Sequence, residues 1–199
     1  MAERVDEKIL DFINAMEAKE ARKDIKNGPV KIGQRYYEFE ETEFFDEKFK
    51  MYIPKDFEDM TLEERKTNYT PENEPDVIKC NEKGDTHITL KIIDSPLAEE
   101  HVEKLKDEMK ESVKNTNPIN VFYDDGVLEV AFKNIGFFEF KSYTIDEPLC
   151  NLMFFLEFEG KILMGTFCCP YEEYGEWREC IFEVIKSIRV RREDKGDEN

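Results

Sequence analysis

The chain has 199 residues, a length that favours one domain with extensions over two complete domains. Its 47 acidic and 29 basic residues give a formal net charge of −18, which repels phosphate backbones and anionic lipid surfaces. We therefore expect no nucleic-acid partner and no docking on an anionic membrane. A 40% apolar fraction with 13% aromatic residues is typical of a folded domain rather than of a disordered acidic chain.

Residues 1–30 predict an N-terminal amphipathic helix followed by a charged linker. The apolar positions of the helix recur at steps of three and four and form one stripe: Val5, Ile9, Phe12, Ile13 and Met16. We expect the last four of these residues to dock on a partner protein, on a second copy of the chain, or back on the domain. A homo-oligomer formed through this helix is therefore one alternative that the sequence leaves open.

The apolar segments are too short for membrane insertion or export. The first residues contain no apolar core of a signal peptide, and no run approaches the roughly 18 apolar residues of a membrane span. The five cysteines have no spacing typical of a disulfide framework, which indicates small buried side chains in a reducing compartment. We expect a cytoplasmic protein without stable membrane insertion.

The first half of the domain alternates between strand and helix patterns. Phe49, Met51 and Ile53 alternate with polar residues and predict a strand that ends at Pro54. Thr61 can cap a short helix, and Ile88, Leu90 and Ile92 give the clearest strand pattern in the chain. Next, Ser95 and Pro96 predict the start of a long helix over residues 96–114.

The second half predicts a run of strands and a final helix. Strand-like segments lie at residues 119–123, 127–132 and 137–145, with Asp124-Asp125-Gly126 as a predicted turn. A hairpin follows, in which residues 149–158 and 161–169 are joined around Glu159-Gly160. The remaining predictions are a helix over residues 176–188 and a disordered tail over residues 191–199.

Three aromatic doublets suggest how these elements are layered. Consecutive strand residues point to opposite faces of a sheet, so each doublet places one ring on either side: Phe44-Phe45, Phe137-Phe138 and Phe154-Phe155. Both faces then need a cover, and the two long helices can supply one each. The predicted fold class is α+β, with a mostly antiparallel β-sheet and helices on both faces (an αβα sandwich), plus the N-terminal helix. Where a cover is incomplete, Phe44, Phe137 and Phe154 are candidate partner-binding residues in an aromatic groove.

Four features together resemble the PsbP-like superfamily over residues 36–190. They are the strand ending in Ile53-Pro54, the central helix after the Ser-Pro pair, the long apolar hairpin, and the last helix ending at Ile185-Lys186-Ser187-Ile188. The resemblance includes the bacterial DcrB-like branch of that superfamily. It implies a non-catalytic binding module that acts as an adaptor or chaperone for a protein partner, and it carries over no catalytic residues.

Residues able to do chemistry are few. The two histidines, His87 and His101, are predicted on a strand surface and a helix surface, and neither is near a recognisable nucleophile motif. The vicinal pair Cys168-Cys169 is more consistent with core packing than with redox chemistry. An alternative remains open in which a pocket near these cysteines, with His87, serves a small ligand or an enzymatic reaction.

Neither a cofactor nor a metal site is predicted. Gly28 and Gly33 have the spacing of the two glycines in a phosphate-binding loop. Gln34-Arg35 follows them, however, where such a loop has a lysine and a serine or threonine. The acidic run over residues 38–47 contains carboxylates that suit calcium, but it has no EF-hand order and fits a solvated strand face better. The acidity of the domain instead predicts a basic or amphipathic protein or peptide as partner.

Overall fold

The computed structural model describes residues 24–191. It contains three sheets and three α-helices in this part of the chain. In chain order the elements are β1 (Val30–Ile32), β2 (Arg35–Tyr37), β3 (Phe39–Phe44), β4 (Phe49–Pro54), β5 (Glu58–Asp59), α1 (Leu62–Asn68), β6 (Val77–Cys80), β7 (His87–Pro96), α2 (Val102–Thr116), β8 (Val121–Val130), β9 (Lys133–Tyr143), β10 (Pro148–Phe158), β11 (Lys161–Pro170), α3 (Tyr174–Lys186) and β12 (Arg189–Val190).

Two predictions fall outside these residues. The N-terminal helix, with its candidate contact residues Ile9, Phe12, Ile13 and Met16, precedes residue 24, and all but the first residue of the predicted tail follows residue 191. Both therefore remain predictions. The main core also includes Ile25, whose side chain is buried although it lies in the segment predicted as a charged linker.

A seven-stranded sheet with the order β5-β6-β7-β11-β10-β9-β8 forms the centre of the fold. A three-stranded sheet, β12-β4-β3, and the β1-β2 ribbon complete the strands described. Every strand pair is antiparallel, as in the confirmed hairpin of β10 and β11. At its turn, Glu159 and Gly160 both have positive φ, the geometry that two-residue hairpins favour.

The aromatic doublets of β9 and β10 divide between the two faces of the large sheet, as predicted. Phe137 and Phe154 join a core shared with α3, whereas Phe138 and Phe155 join a second core. The residues of α2 that pack against this second core are Leu105, Met109 and Val113. Helices therefore cover both faces, and the predicted α+β class with a mostly antiparallel sheet is confirmed.

The first doublet does not follow this alternation. Phe44 ends β3, and Phe45 lies in the following turn with φ 53°, so the period of two stops between them. Both rings pack in the core that contains α3. The prediction that Phe44 and Phe45 straddle a sheet was therefore wrong.

The predicted helix start at Ser95 and Pro96 was also wrong. Both residues belong to β7, where Pro96 stands opposite Lys161 at a bulge, and α2 begins only at Val102. Proline has no backbone N–H to donate to a strand ladder. It is tolerated at the end of β7 because the bulge already interrupts the ladder there. Pairing of β7 with β11 thus extends the strand through a pair of residues that locally favours a helix start.

The segment Asp124-Asp125-Gly126 is a bulge inside β8 rather than a turn. The register of β8 on β9 shifts between Phe122 and Asp125, and the chain reverses later, at residues 131–132. Bulges place two consecutive residues opposite one and re-aim their side chains. The two aspartates therefore gain partners in different layers of the fold.

A candidate partner-binding surface at the β8 edge

Strand β8 ends the seven-stranded sheet, and no strand within residues 24–191 pairs with its outer side. Only Val130 among its residues is buried. The strand at the opposite end of the sheet, β5, has two residues. An open edge presents unpaired backbone N–H and C=O groups that can accept another strand. The long open edge of the described sheet is therefore β8.

Exposed apolar side chains concentrate along this edge. Ten large apolar side chains are exposed in the described part of the chain, and all but Tyr36 and Leu62 lie on β8, in the segments that flank it, or beside it on neighbouring elements. These eight are Ile119, Val121, Tyr123, Val127, Phe132, Tyr143, Ile145 and Tyr171. Exposed apolar side chains grouped at one sheet edge indicate a site of protein interaction more than scattered ones do. We call this surface the edge patch.

Three tyrosines form the aromatic part of the edge patch. The rings of Tyr123 and Tyr171 stack with centroids 6.5 Å apart, and their hydroxyls are 3.3 Å apart. The Lys141 ammonium lies 3.8 Å from the centroid of Tyr171 and 5.1 Å from that of Tyr143. Desolvation and the hydrogen bond with Tyr171 raise the pKa of Tyr123 to about 12, so its hydroxyl stays protonated at neutral pH. The stacked rings and the Lys141 ammonium thus form an aromatic platform beside β8.

Helix α2 holds the bulge of β8 through Asp125. This carboxylate accepts hydrogen bonds from Lys106, at 2.6 Å, and from Lys110, both on α2. These hydrogen bonds hold the pKa of Asp125 below its ordinary value. The edge strand is consequently tied to the helix on one face.

Helix α3, on the opposite face of the sheet, holds the bulge through Asp124. Arg178 of α3 donates to Asp124 at 3.0 Å and makes two further hydrogen bonds to Glu139, at 2.7 and 3.1 Å. The Glu139 side chain is 2% exposed. The hydrogen bonds between Arg178 and Glu139 raise the pKa of the guanidinium above its ordinary value. The buried part of this network is the Glu139 carboxylate, and the exposed ion pair of Arg178 with Asp124 connects β8 to it.

The aromatic groove expected at Phe44, Phe137 and Phe154 is closed. The three side chains are only 9%, 6% and 0% exposed. Phe137 and Phe154 lie on the face of the large sheet that packs on α3, and Phe44, on the small sheet, packs into the same core. Within the core, Phe154 stands directly opposite Gly165 on β11. These rings serve core packing, and the exposed aromatic side chains lie elsewhere.

The cysteine and histidine candidates lie close together but do not form an activated pair. His87 stands directly opposite Cys168 across β7 and β11, whereas Cys169 points to the other face. All five cysteines are free and buried. Burial raises the pKa of Cys168 to about 12 and lowers the pKa of His87, so the thiol stays protonated and the imidazole neutral near pH 7. This arrangement supplies no thiolate nucleophile.

The acidic run does not gather around a metal site. Glu38 pairs with Lys55, and Glu43 pairs with Lys50. No group of three potential ligands within residues 24–191 has a geometry able to hold a metal ion. Other carboxylates of the domain surround an open cavity of about 470 Å³, lined by Arg35, Asp56, Glu58, Asp59, Thr61, Glu64, Cys80, Asn81 and Glu82. Part of the acidity predicted to attract a cationic partner therefore lies around this cavity.

Sequence reasoning missed the edge patch. The alternation of Val121 and Tyr123 predicts a strand, but nothing in the pattern distinguishes an edge strand from a central one. The mistaken turn at Asp124 also divided the strand into two short segments. Within the described residues, no helix is long and apolar enough to span a membrane.

Comparisons with known proteins match the fold alone. No protein-family model matches the chain, and no curated protein matches it. The solution structure of cyanobacterial PsbP (CyanoP) from Synechocystis sp. PCC 6803 has a TM-score of 0.57 at 10% identity, covering 80% of this chain and 96% of that one. A crystal structure from Bacteroides thetaiotaomicron has a TM-score of 0.52 at 9% identity, covering 78% and 49%.

The Ran-binding protein Mog1p of Saccharomyces cerevisiae is a more distant structural match. Its TM-score is 0.47 at 10% identity, with 77% of this chain and 96% of that one covered. At these identities a structural match carries the arrangement of helices and strands and no activity. The match to CyanoP gives the chain a PsbP-like fold, in agreement with the resemblance stated for its sequence.

Proposed function

We propose that the protein is a non-catalytic binding module that accepts an extended, basic or amphipathic segment of a protein partner at the β8 edge. The observation that carries this proposal is the concentration of eight of the ten exposed large apolar side chains at one open sheet edge. Strand addition supplies backbone hydrogen bonds for affinity, and pockets for alternate side chains supply specificity. The tyrosine platform is suited to anchor one such side chain.

Charge favours a foreign basic segment over a second copy of the chain. Each copy has a net charge of −18, and the exposed side chains of this edge include Asp124 and Glu129. A symmetric pairing of two β8 strands would bring these carboxylates together, which is unfavourable. A segment that alternates basic and apolar residues meets both the carboxylates and the apolar side chains, and its association should slow as salt rises.

Three further parts of the proposal rest on the sequence pattern. They are a cytoplasmic location, an adaptor or chaperone role, and membership of the DcrB-like bacterial branch. The apolar stripe of the N-terminal helix, with Ile9, Phe12, Ile13 and Met16, is proposed as an additional contact for the same partner. Shortening the chain by residues 1–23 should then weaken binding without abolishing it.

The test uses peptides selected on the immobilised protein. Peptides of about ten residues match the length of β8 at roughly 3.3 Å per residue. We expect Val121→Asp and Tyr123→Ala each to weaken binding of the selected peptide about tenfold or more, as for an interface anchor. The matched controls are Leu62→Asp and Tyr36→Ala, which remove the two exposed apolar side chains that are not part of the edge patch.

Two outcomes would contradict the proposal. One is equal loss of peptide affinity in the edge variants and in the controls. The other is a bound peptide that leaves amide hydrogen exchange unchanged throughout β8. An edge that receives a strand must protect its outward N–H groups, because these become donors in the new ladder.

A further inference from the structure

The carboxylates of β8 differ in what already binds them. Asp124 pairs with Arg178, and Asp125 pairs with two lysines of α2. Glu129, near the carboxyl end of the strand, is exposed, and no basic side chain within residues 24–191 pairs with it. The carboxylate of β8 that is left for a basic residue of a partner is therefore that of Glu129.

The surroundings of Glu129 keep this end of β8 negative. The basic residue next to it across the turn is Lys133, which stands opposite Val130 on β9. The Lys133 ammonium already pairs with Glu99 and with Glu157. Because one ammonium faces two carboxylates there, it does not neutralise Glu129 as well. A cation from outside the domain is thus favoured at this end.

The amino end of β8 is aromatic and already holds a cation. Tyr123 stacks on Tyr171, and the Lys141 ammonium lies over the rings of Tyr171 and Tyr143. The three tyrosines remain exposed. A second cation would be repelled by the Lys141 ammonium, whereas an aromatic side chain can stack on the free ring faces. This end therefore favours an aromatic side chain of the partner over a basic one.

Glu129 and the tyrosine platform face opposite sides of the large sheet. Val127 stands opposite Gly136, where an added Cβ would meet side chains of α2. Glu129 lies two residues after Val127 and therefore faces α2 as well. Tyr123 stacks on Tyr171, which precedes α3 by a single 3₁₀ turn, and so faces the other side. In a regular strand, residues that point to opposite faces are separated by an odd number of positions.

The bulge sets this separation at five positions. Phe122 and Asp125 stand opposite Phe140 and Phe138, so Tyr123 and Asp124 together take the place of one residue. An added strand that spans the bulge as β9 does needs five positions to pass from its residue opposite Glu129 to its residue opposite the bulge. Every strand pair within residues 24–191 is antiparallel. In an antiparallel partner the residue opposite Glu129 comes first.

We propose that the partner segment lies antiparallel to β8 and contains a basic residue followed, five positions later, by an aromatic residue. The basic side chain meets Glu129 on the face of α2, and the aromatic side chain stacks on the tyrosine platform on the face of α3. This inference rests on the proposed function, because it requires a strand added at the β8 edge. It adds the direction, the register and the order of charges of that strand.

The test begins with a displayed library of random ten-residue peptides selected on the immobilised full chain. We expect the selected sequences to share a basic and an aromatic residue at this spacing and in this order. Calorimetric titration of one selected peptide then compares variants. Glu129→Lys should weaken binding about tenfold, since a repulsion replaces an attraction. Replacing the basic residue of the peptide by glutamate should restore most of the affinity for this variant.

Glu40→Lys is the matched control. Glu40 is an exposed glutamate on β3, which is an edge strand of the small sheet, so the variant changes the net charge by the same amount. Its affinity for the peptide should stay within about twofold of the unmodified protein, because salt screens distant charges. A peptide of the same composition with the two residues four positions apart should bind about tenfold more weakly, because their side chains then point to one face.

Amide hydrogen exchange of β8 separates failure of this inference from failure of the proposed function. If no selected peptide protects β8, the proposed function fails and this inference fails with it. If peptides protect β8 but show no preference for the five-position spacing, only this inference is overturned. Equal weakening by Glu129→Lys and Glu40→Lys overturns it in the same way. A thermal unfolding midpoint for each variant shows that weaker binding is not a loss of folding.

Discussion

Replacing Gly165 by alanine tests whether Phe154 belongs to the core. Gly165 lies on β11 directly opposite Phe154 on β10, and the phenyl ring lies over the glycine. A Cβ atom at Gly165 would stand 2.0 Å from Cζ of that ring and within 2.5 Å of two more ring atoms. Because Phe154 is completely buried, its ring has no solvent into which to move.

The expected loss is large for the addition of one methyl group. Overpacking a well-packed core costs about 1 to 3 kcal/mol, and so close an approach places Gly165→Ala near 3 kcal/mol. For a chain of this size that loss lowers the thermal unfolding midpoint by about 6 to 12 °C. Calorimetry or circular dichroism on heating measures the midpoint directly.

Two companion variants make the result specific. Gly175→Ala places a Cβ in open space within α3, where alanine favours the helix, so its midpoint should be unchanged or higher. Combining Gly165→Ala with Phe154→Leu should lose less stability than the sum of the two single changes, since the smaller side chain makes room. An unaltered midpoint in Gly165→Ala alone would show that Phe154 is not confined as described.

Three further predictions concern the network at the bulge and the cysteines. Arg178→Met leaves the buried Glu139 carboxylate without its partner and should cost about 3 kcal/mol by denaturant unfolding, whereas Asp124→Asn, at an exposed position, should cost less than about 1 kcal/mol. The lowered pKa of Asp125 means that its ion pairs stabilise the fold above about pH 4 and lose this effect as the pH falls through the folded-state pKa; the stability difference between the unmodified protein and Asp125→Asn should therefore be present at pH 7 and shrink toward pH 2. The raised pKa of Cys168 predicts slow thiol titration in the native protein even at pH 10 and fast titration after unfolding, and rapid native reactivity would refute it.

The α+β fold class could be read from the sequence to the extent that local patterns determine it. The hairpin at Glu159 and Gly160 was predictable because an acidic residue followed by glycine fits a tight turn between two apolar runs. The capped helix at Thr61 was predictable because its capping box is entirely local. The doublets Phe137-Phe138 and Phe154-Phe155 correctly required a cover on both faces.

Errors arose where distant pairing outweighed a local preference. The Ser95-Pro96 pair favours a helix start, but pairing with β11 extends the strand through it. Asp124 and Asp125 favour a turn, but ion pairs to α3 and α2 hold them as a bulge. Local propensities contribute less than about 1 kcal/mol per residue, so a few long-range contacts are enough to reverse them.

The sequence by itself determined the class of the fold, its acidity and the need for two layers of cover, because these follow from composition and from the period of apolar residues. Only the tertiary structure decided which side chains are available to a partner. Phe44, Phe137 and Phe154 have the same aromatic character as Tyr123 and Tyr171, yet the first three are buried and the last two exposed. The physical reason is strand order: a residue is exposed or covered according to the neighbours of its strand, and strand order is set by pairings between residues far apart in the chain.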